Sequence, residues 1–268
     1  MAKRKFLHSA AIGVGGALVA GGKFLLKGAV MLASGVWHAV EKSSHAKNPA
    51  LYSNFQVLET INGTFEIFEE KVLISKSSVG IILGARGSGK SVLGMRLLEN
   101  AKAKGRKVQA LGFSPSSVPS WIECIDSIEK AKNNSFLLVD EGGITFSSRS
   151  SMADANKLLS QLLFISRHKD LSVLFISQNS ANIDVNAIRQ ADYLLLKRSS
   201  LLQLDFERKK IKEIYEQSKV GFEKYSAIKG VTFVYSDEFT GFVANGLPSF
   251  WSEGISKSFS GFKPKSKE

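Results

Sequence analysis

The stretch GARGSGKSV, residues 84–92, constrains this chain more than any other. An apolar run, Val79 to Leu83, precedes it, and a helical pattern, Leu93 to Ala103, follows it. Strand, glycine-rich turn and helix in that order are the setting of a phosphate-binding loop. The spacing G-x-x-x-x-G-K-S is met at Gly84, Gly89, Lys90 and Ser91. Gly84, Gly87 and Gly89 let the backbone turn tightly and aim successive N–H groups inward. The helix N-terminus adds its partial positive charge. Gly84, Ala85, Arg86, Gly87, Ser88, Gly89, Lys90, Ser91 and Val92 are therefore the expected nucleotide cradle. Lys90 is expected to reach the β- and γ-phosphates, and Ser91 to hold Mg²⁺.

A second motif, FLLVDEGG, runs from Phe136 to Gly143. Four apolar residues lead into Asp140, which places an acid at the carboxyl end of a buried strand, where ligands of open α/β sheets sit. Asp140 is expected to orient Mg²⁺, directly or through water. Glu141 is expected to polarise the water that attacks the γ-phosphate. A strand ending in a solvated acidic turn would look the same by itself. The motif gains weight from its position after Lys90 in an alternating chain. A third stretch, SVLFISQN, Ser172 to Asn179, puts Gln178 at a strand tip, either to sense the γ-phosphate or to cap a loop.

The rest of the core alternates strand and helix. Strands are expected at Val79–Leu83, Lys107–Phe113, Phe136–Asp140, Ser172–Ser177 and Tyr193–Lys197, and helices at 91–104, 120–131 and 152–168, with a short helical turn at 187–191. This rhythm predicts an α/β fold with a parallel sheet covered on both faces. The stretch 55–74, including FEIFEEKVLI, reads as strands or a hairpin. Residues 205–221 read as a charged helix and 230–235 as a further strand. The divisions expected are an N-terminal apolar helical segment, 1–41; a linker, 42–54; the nucleotide domain, 55–235; and a C-terminal extension with a basic tail, 236–268.

The first segment joins a basic start, MAKRK, to apolar runs broken by Lys23 and Lys27. Neither run reaches the roughly 20 apolar residues of a spanning helix. A single span with its N-terminus inside would put a nucleotide domain on the wrong side. The options are a tight hairpin, an interfacial amphipathic helix at a membrane, or a helix packed on protein. Net charge bears on partners: 36 basic against 24 acidic residues give +12, which favours an anionic partner, nucleic acid or lipid. The single cysteine excludes an intrachain disulfide, and with scattered histidines it excludes a zinc site.

GARGSGKS, then LLVDEGG, then a long helix ending FISRHKDLSVLFISQN together resemble the FtsK–HerA superfamily of DNA-pumping ATPases. The similarity is greatest to its viral branches, the genome-packaging ATPases and the zonula occludens toxin-like morphogenesis proteins. It covers roughly residues 79–200, and LPSFWSE, residues 247–253, adds a weaker likeness. The resemblance implies a RecA-like P-loop core, ATP as fuel, a homo-oligomeric ring and DNA in its pore. It also implies an arginine finger from a neighbouring subunit. Arg149, Arg167 and Arg189 are the candidates, and the motif match favours Arg167.

Backbone contacts to DNA are expected from loop cations: Arg86, Arg106, Lys107, Arg149, Lys197, Arg198, Arg208, Lys209 and Lys210. Trp121 and Phe146 are expected in core or interface. The leading function is an ATP-driven DNA translocase of virus assembly, in host cytoplasm or virion, at a membrane or capsid portal. The alternatives are an assembly or secretion ATPase that does not act on DNA, another P-loop NTPase, and a non-catalytic nucleotide-binding scaffold. A GTPase gains from D-x-x-G at 140–143 but lacks N-K-x-D, because Asn156-Lys157 is followed by Leu158 and Leu159. No serine–glycine–glycine signature of transporter ATPases precedes the acidic strand.

Overall fold

The computed structural model describes residues 49–142 and 152–256. Segment 1–41, the start of the linker, the serine-rich loop with Arg149 and Phe146, and the basic tail lie outside the described residues. Among the described residues no helix is long and apolar enough to cross a membrane.

Among the described residues nine strands form one sheet. They are β1 (Gln56–Gly63), β2 (Val79–Leu83), β3 (Lys107–Leu111), β4 (Glu123–Ile125), β5 (Ser135–Asp140), β6 (Ser172–Ile176), β7 (Tyr193–Leu196), β8 (Val231–Ser236) and β9 (Phe239–Ala244), in the order β1-β9-β8-β7-β2-β6-β5-β3-β4. From β7 to β4 all neighbours are parallel. β2, β6 and β7 are buried along their whole length, as the unbroken apolar runs VGIIL, SVLFI and YLLL require of strands covered on both faces. Successive side chains point to opposite faces. Ile82 therefore joins one core with Leu138 and Leu174, and Ile81 and Leu83 join the other with Val139 and Phe175.

The helices that lie wholly within the described residues are α1 (Phe65–Ile74), α2 (Lys90–Ala103), α3 (Met152–His168), α4 (Val185–Gln190), α5 (Leu201–Asp205), α6 (Lys209–Lys224) and α7 (Glu253–Ser256). α1 and α2 cover the first face, through Phe68, Val72, Leu93 and Leu97. α3, α4 and α6 cover the second, through Leu162, Ala187, Ile211 and Ile214. α2 ends in a hydrogen-bonded pair, Gly105 N–H to Lys102 O at 2.9 Å and Arg106 N–H to Ala101 O at 3.0 Å, with Gly105 at φ 88°. That is a Schellman stop, which glycine accommodates without strain.

Three expectations are corrected. FEIFEEKVLI is the helix α1 and not a strand. Its buried residues, Phe65, Phe68, Val72 and Leu73, follow helical spacing, and the weak alternation of residues was misleading. Residues 120–131 are not a helix: Glu123–Ile125 pairs in parallel with Gln109–Leu111 as a short edge strand, and Ile128–Lys130 is a single 3₁₀ turn. The sheet is also not purely parallel. β8, β9 and β1 extend it as antiparallel strands beyond β7, so residue 235 falls inside the β8–β9 hairpin.

β1 begins where the linker's end is tied down. Ser53 N–H donates to Asn100 Oδ1 at 3.0 Å, and Leu51 N–H to Glu99 Oε1 at 3.2 Å, both on α2. Glu99 also accepts from Ser249 N–H at 3.0 Å, so one buried carboxylate fastens the incoming and outgoing ends of the domain. Trp121 packs edge-on against Phe250 at 5.2 Å between ring centres, as expected of an aromatic in the core.

Candidate active site

The loop after β2 folds as its glycines dictate. Gly84, Gly87 and Gly89 have φ of 152°, 75° and 90°. A side chain at Gly84 would also have no room: a Cβ there would lie 2.6 Å from Lys197 Cβ and 2.9 Å from Ser88 Oγ. The loop is anchored to β7's end by Ala85 N–H donating to Arg198 O at 3.1 Å, and Lys197 N–H continues the ladder to Leu83 O at 2.8 Å. Lys90 opens α2 and curls back, donating to Gly84 O at 2.8 Å and Ala85 O at 2.9 Å. Burial pushes its ammonium below the usual lysine range, and Asp140 and Glu141 oppose that shift. Ser88 Oγ is buried without a protein partner.

β6 stands between the loop strand and the acid strand. Its register pairs Ile176 with Ile82 on one side and with Asp140 on the other. All three strands are parallel, so the loop, Asp140-Glu141 and Ser177-Gln178 share the carboxyl edge. Ser91 Oγ faces Asp140 Oδ2 at 3.5 Å, and Gly142 N–H donates to Asp140 Oδ1 at 3.0 Å. Glu141 is buried. Ser177 Oγ lies 2.5 Å from its Oε2, and the Gln178 N–H and the Asn182 side chain also donate to the carboxylate. Burial raises the carboxyl's pKa; the Ser177 bond works against that, and Asp140 adds to it.

Ser91 and Asp140 present two hard oxygens to one point, which fits Mg²⁺, a cation that takes few protein oxygens alongside phosphates and water. Lys90, Ser91, Asp140 and Glu141 are thus brought together. Gln178 is at the expected strand tip with its side chain exposed. Two of the three finger candidates, Arg167 and Arg189, are elsewhere. Arg167, exposed at the end of α3, and Arg189, exposed at the end of α4, precede β6 and β7 and so lie at the amino edge. That is roughly 16 Å from the loop, by the rise of a five-residue strand. Arg149 lies outside the described residues.

The cation list for DNA needs correction at two positions. Arg106 is buried, donating to Ser75 O at 2.8 Å and Ser135 O at 3.0 Å, and it ties the amino edge together. Lys197 is fully buried, donating to Gly230 O at 2.9 Å. Arg86, Lys107, Arg198, Lys209 and Lys210 are exposed. Sequence reasoning did not assign Ser177 or Asn182 to Glu141, because the pairing rests on strand register.

No family model matches the chain, and no curated protein matches it. Among solved structures it is similar to the genome packaging NTPase B204 from Sulfolobus turreted icosahedral virus 2 in complex with ATP-gammaS, at 15% identity and a TM-score of 0.45, over 65% of this chain and 100% of that one. It is similar to the N-terminal domain of zonular occludens toxin from Neisseria meningitidis, at 18% identity and a TM-score of 0.31, over 45% of this chain and 76% of that one. A third likeness is to EssC (ATPases 2 and 3) from Geobacillus thermodenitrificans, at 12% identity and a TM-score of 0.40, over 78% of this chain and 47% of that one. They include the kinds of protein whose motifs the sequence resembles, but at these values they carry no argument about activity, substrate or partner. The glycine turn, the two acids and the strand inserted between them by themselves make this a P-loop nucleotide-binding core of the α/β class.

Proposed function

We propose that the protein hydrolyses ATP and uses the energy to move DNA, in a ring of identical subunits that serves genome packaging or virion morphogenesis. The observation that carries hydrolysis is the shared carboxyl edge: Lys90 and Ser91 on one strand's loop and Asp140 and Glu141 two strands away, with β6 between. In this reading the loop amides and Lys90 hold the β- and γ-phosphates. Ser91 and Asp140 would hold Mg²⁺, which when bound offsets charge on the phosphate oxygens. Glu141 takes a proton from the attacking water, and burial raises its pKa, which makes it a stronger base than a solvated carboxylate.

The ring reading is supported by the placement of Arg167 and Arg189, which cannot reach their own chain's loop and would serve a neighbour's. DNA is supported by the net charge of +12 and by exposed cations at Arg86 and Arg198 on the loop side of the sheet. The N-terminal segment is proposed to attach the ring to a membrane or portal. The GTPase alternative is disfavoured by the missing N-K-x-D.

The test is ATP turnover with and without duplex DNA at low salt. Stimulation by DNA, lost in Lys90→Ala, supports the reading. Turnover that ignores DNA overturns translocation and leaves an ATPase. A Glu141→Gln variant that hydrolyses at the wild-type rate overturns the assignment of the base.

A further inference from the structure

The loop after β6, residues 177–184, is fastened at both ends. At one end it holds Glu141 through Ser177, Gln178 and Asn182. At the other it hangs on Glu207, a buried carboxylate between α5 and α6. Ser180, with no exposed surface, donates both its N–H, at 3.1 Å, and its hydroxyl to Glu207 Oε2. Arg208 braces the same turn, with Nε donating to Ser180 O at 3.0 Å and Nη2 to Ile183 O at 2.7 Å.

α5 meets this assembly through the Gln203 side chain, beside a backbone bond from Glu207 N–H to Leu204 O at 3.4 Å. Gln203 donates its amide to Gln178 O and, at 3.1 Å, to Glu207 Oε1. Otherwise α5 is lightly held: none of its side chains is fully buried, and Leu201 and Leu202 are 84% and 70% exposed. Burying a carboxylate is costly unless its acceptor sites are filled. Glu207 is filled by Ser180 and Gln203, groups belonging to the loop and to α5. It therefore couples the two.

We propose that Glu207 is a positioning residue that keeps the loop 177–184 clamped on Glu141, and that displacement of α5 loosens the clamp through Gln203. This rests on the ATPase reading above. A hydroxyl, a backbone N–H and an amide take up most of the roughly four acceptor sites of the Glu141 carboxylate and so compete with an attacking water for it. In this proposal the clamped arrangement is the resting one. Loosening the loop frees acceptor sites on Glu141 without touching the phosphate cradle, so it raises turnover and leaves nucleotide binding alone.

The experiment is a set of steady-state ATPase measurements at pH 8 on the full chain and on Ser177→Ala, Glu207→Ala, Gln203→Ala and the Ser177→Ala/Glu207→Ala double variant. Ser177→Ala and Glu207→Ala each raise kcat by about threefold to tenfold, the effect of removing one ordinary hydrogen bond from the resting state, with KM for ATP unchanged. Gln203→Ala raises it less. The double variant is no faster than the faster single, because both changes open the same clamp. Effects that multiply, or a kcat that falls or does not move, overturn the proposal. If Glu207→Ala does not fold, the half-buried Gln203 decides by the same criteria. Wild-type turnover with no rise in any variant sinks this inference alone. If neither wild type nor any variant shows Lys90-dependent turnover, the ATPase reading sinks as well.

Discussion

Ser177 Oγ stands 2.5 Å from Glu141 Oε2 and 3.0 Å from Asn179 O. The hydroxyl has one proton to give. The shorter distance and the charge of the acceptor assign it to the carboxylate. Adjacent strands impose this meeting: Asp140 pairs with Ile176, so the next residue on each strand is Glu141 and Ser177.

The bond predicts a pH effect. Burial raises the Glu141 pKa, and the Ser177 hydroxyl pulls it back down. The base works only when ionised, so turnover falls as pH drops through its pKa. Ser177→Ala removes a lowering contact, and the loosened loop weakens those of Asn182 and the Gln178 N–H in the same direction, while Asp140 and Lys90 stay beside the group. The acid limb of the kcat–pH profile therefore moves to higher pH. A limb that stays in place, or moves down, refutes the assignment of Glu141 as the ionising base.

A second prediction concerns the loop backbone. Gly84 has φ of 152°, and a Cβ there would sit 2.6 Å from Lys197 Cβ. Gly84→Ala combines an unfavourable backbone with a clash against a residue that cannot retreat, being fully buried. It should cost about 1–3 kcal/mol of stability, the usual scale of such strain. It should also weaken binding of a non-hydrolysable ATP analogue, because the Gly84 carbonyl carries Lys90. Urea unfolding and calorimetric titration check the two effects. An unchanged midpoint together with unchanged affinity counts against this account of the loop.

The parallel core and the nucleotide cradle are legible in the sequence because their signals are local. A run such as VGIIL must be a covered strand, and GARGSGKS has one conformation that places its groups usefully. What was not legible depends on distant partners. FEIFEEKVLI contains both a helical and an alternating pattern, and Phe239 and Tyr193 select the helix by packing on Phe65 and Phe68. Arg106 and Lys197 look like loop cations until the strands around them close. Ser177's role needs the register of β5 and β6, which no single stretch encodes.

A third prediction follows from the buried pair on α2. Arg96 Nη1 meets Glu99 Oε2 at 2.8 Å, and Glu99 has no exposed surface. Arg96 also reaches Leu247 O, and Glu99 receives the Leu51 and Ser249 N–H groups. Glu99→Ala would strand a guanidinium whose pKa burial already pushes down, and would release both terminal segments. The expected loss is about 3–5 kcal/mol, as for one partner removed from a buried pair. A denaturant midpoint implying less than about 1 kcal/mol would show the pair to be expendable.

The last prediction uses Lys197. Its Nζ is enclosed by Gly230 O at 2.9 Å, Val231 O at 3.2 Å and Asn245 Oδ1 at 3.4 Å, with no carboxylate among these partners. Burial pulls its pKa from 10.5 down to about 7. Between those values the unfolded chain holds a proton that the folded chain does not. Stability from this group is therefore fully present above the unfolded pKa and is lost as pH falls through about 7. Each pH unit inside that window changes the folding free energy by up to about 1.4 kcal/mol. Lys197→Met keeps the Cβ beside Gly84 and removes the titration. The difference in unfolding free energy between wild type and variant should grow in the wild type's favour as pH rises from 7 to 10. Two parallel stability curves across that range would mean that the ammonium keeps its charge inside the fold.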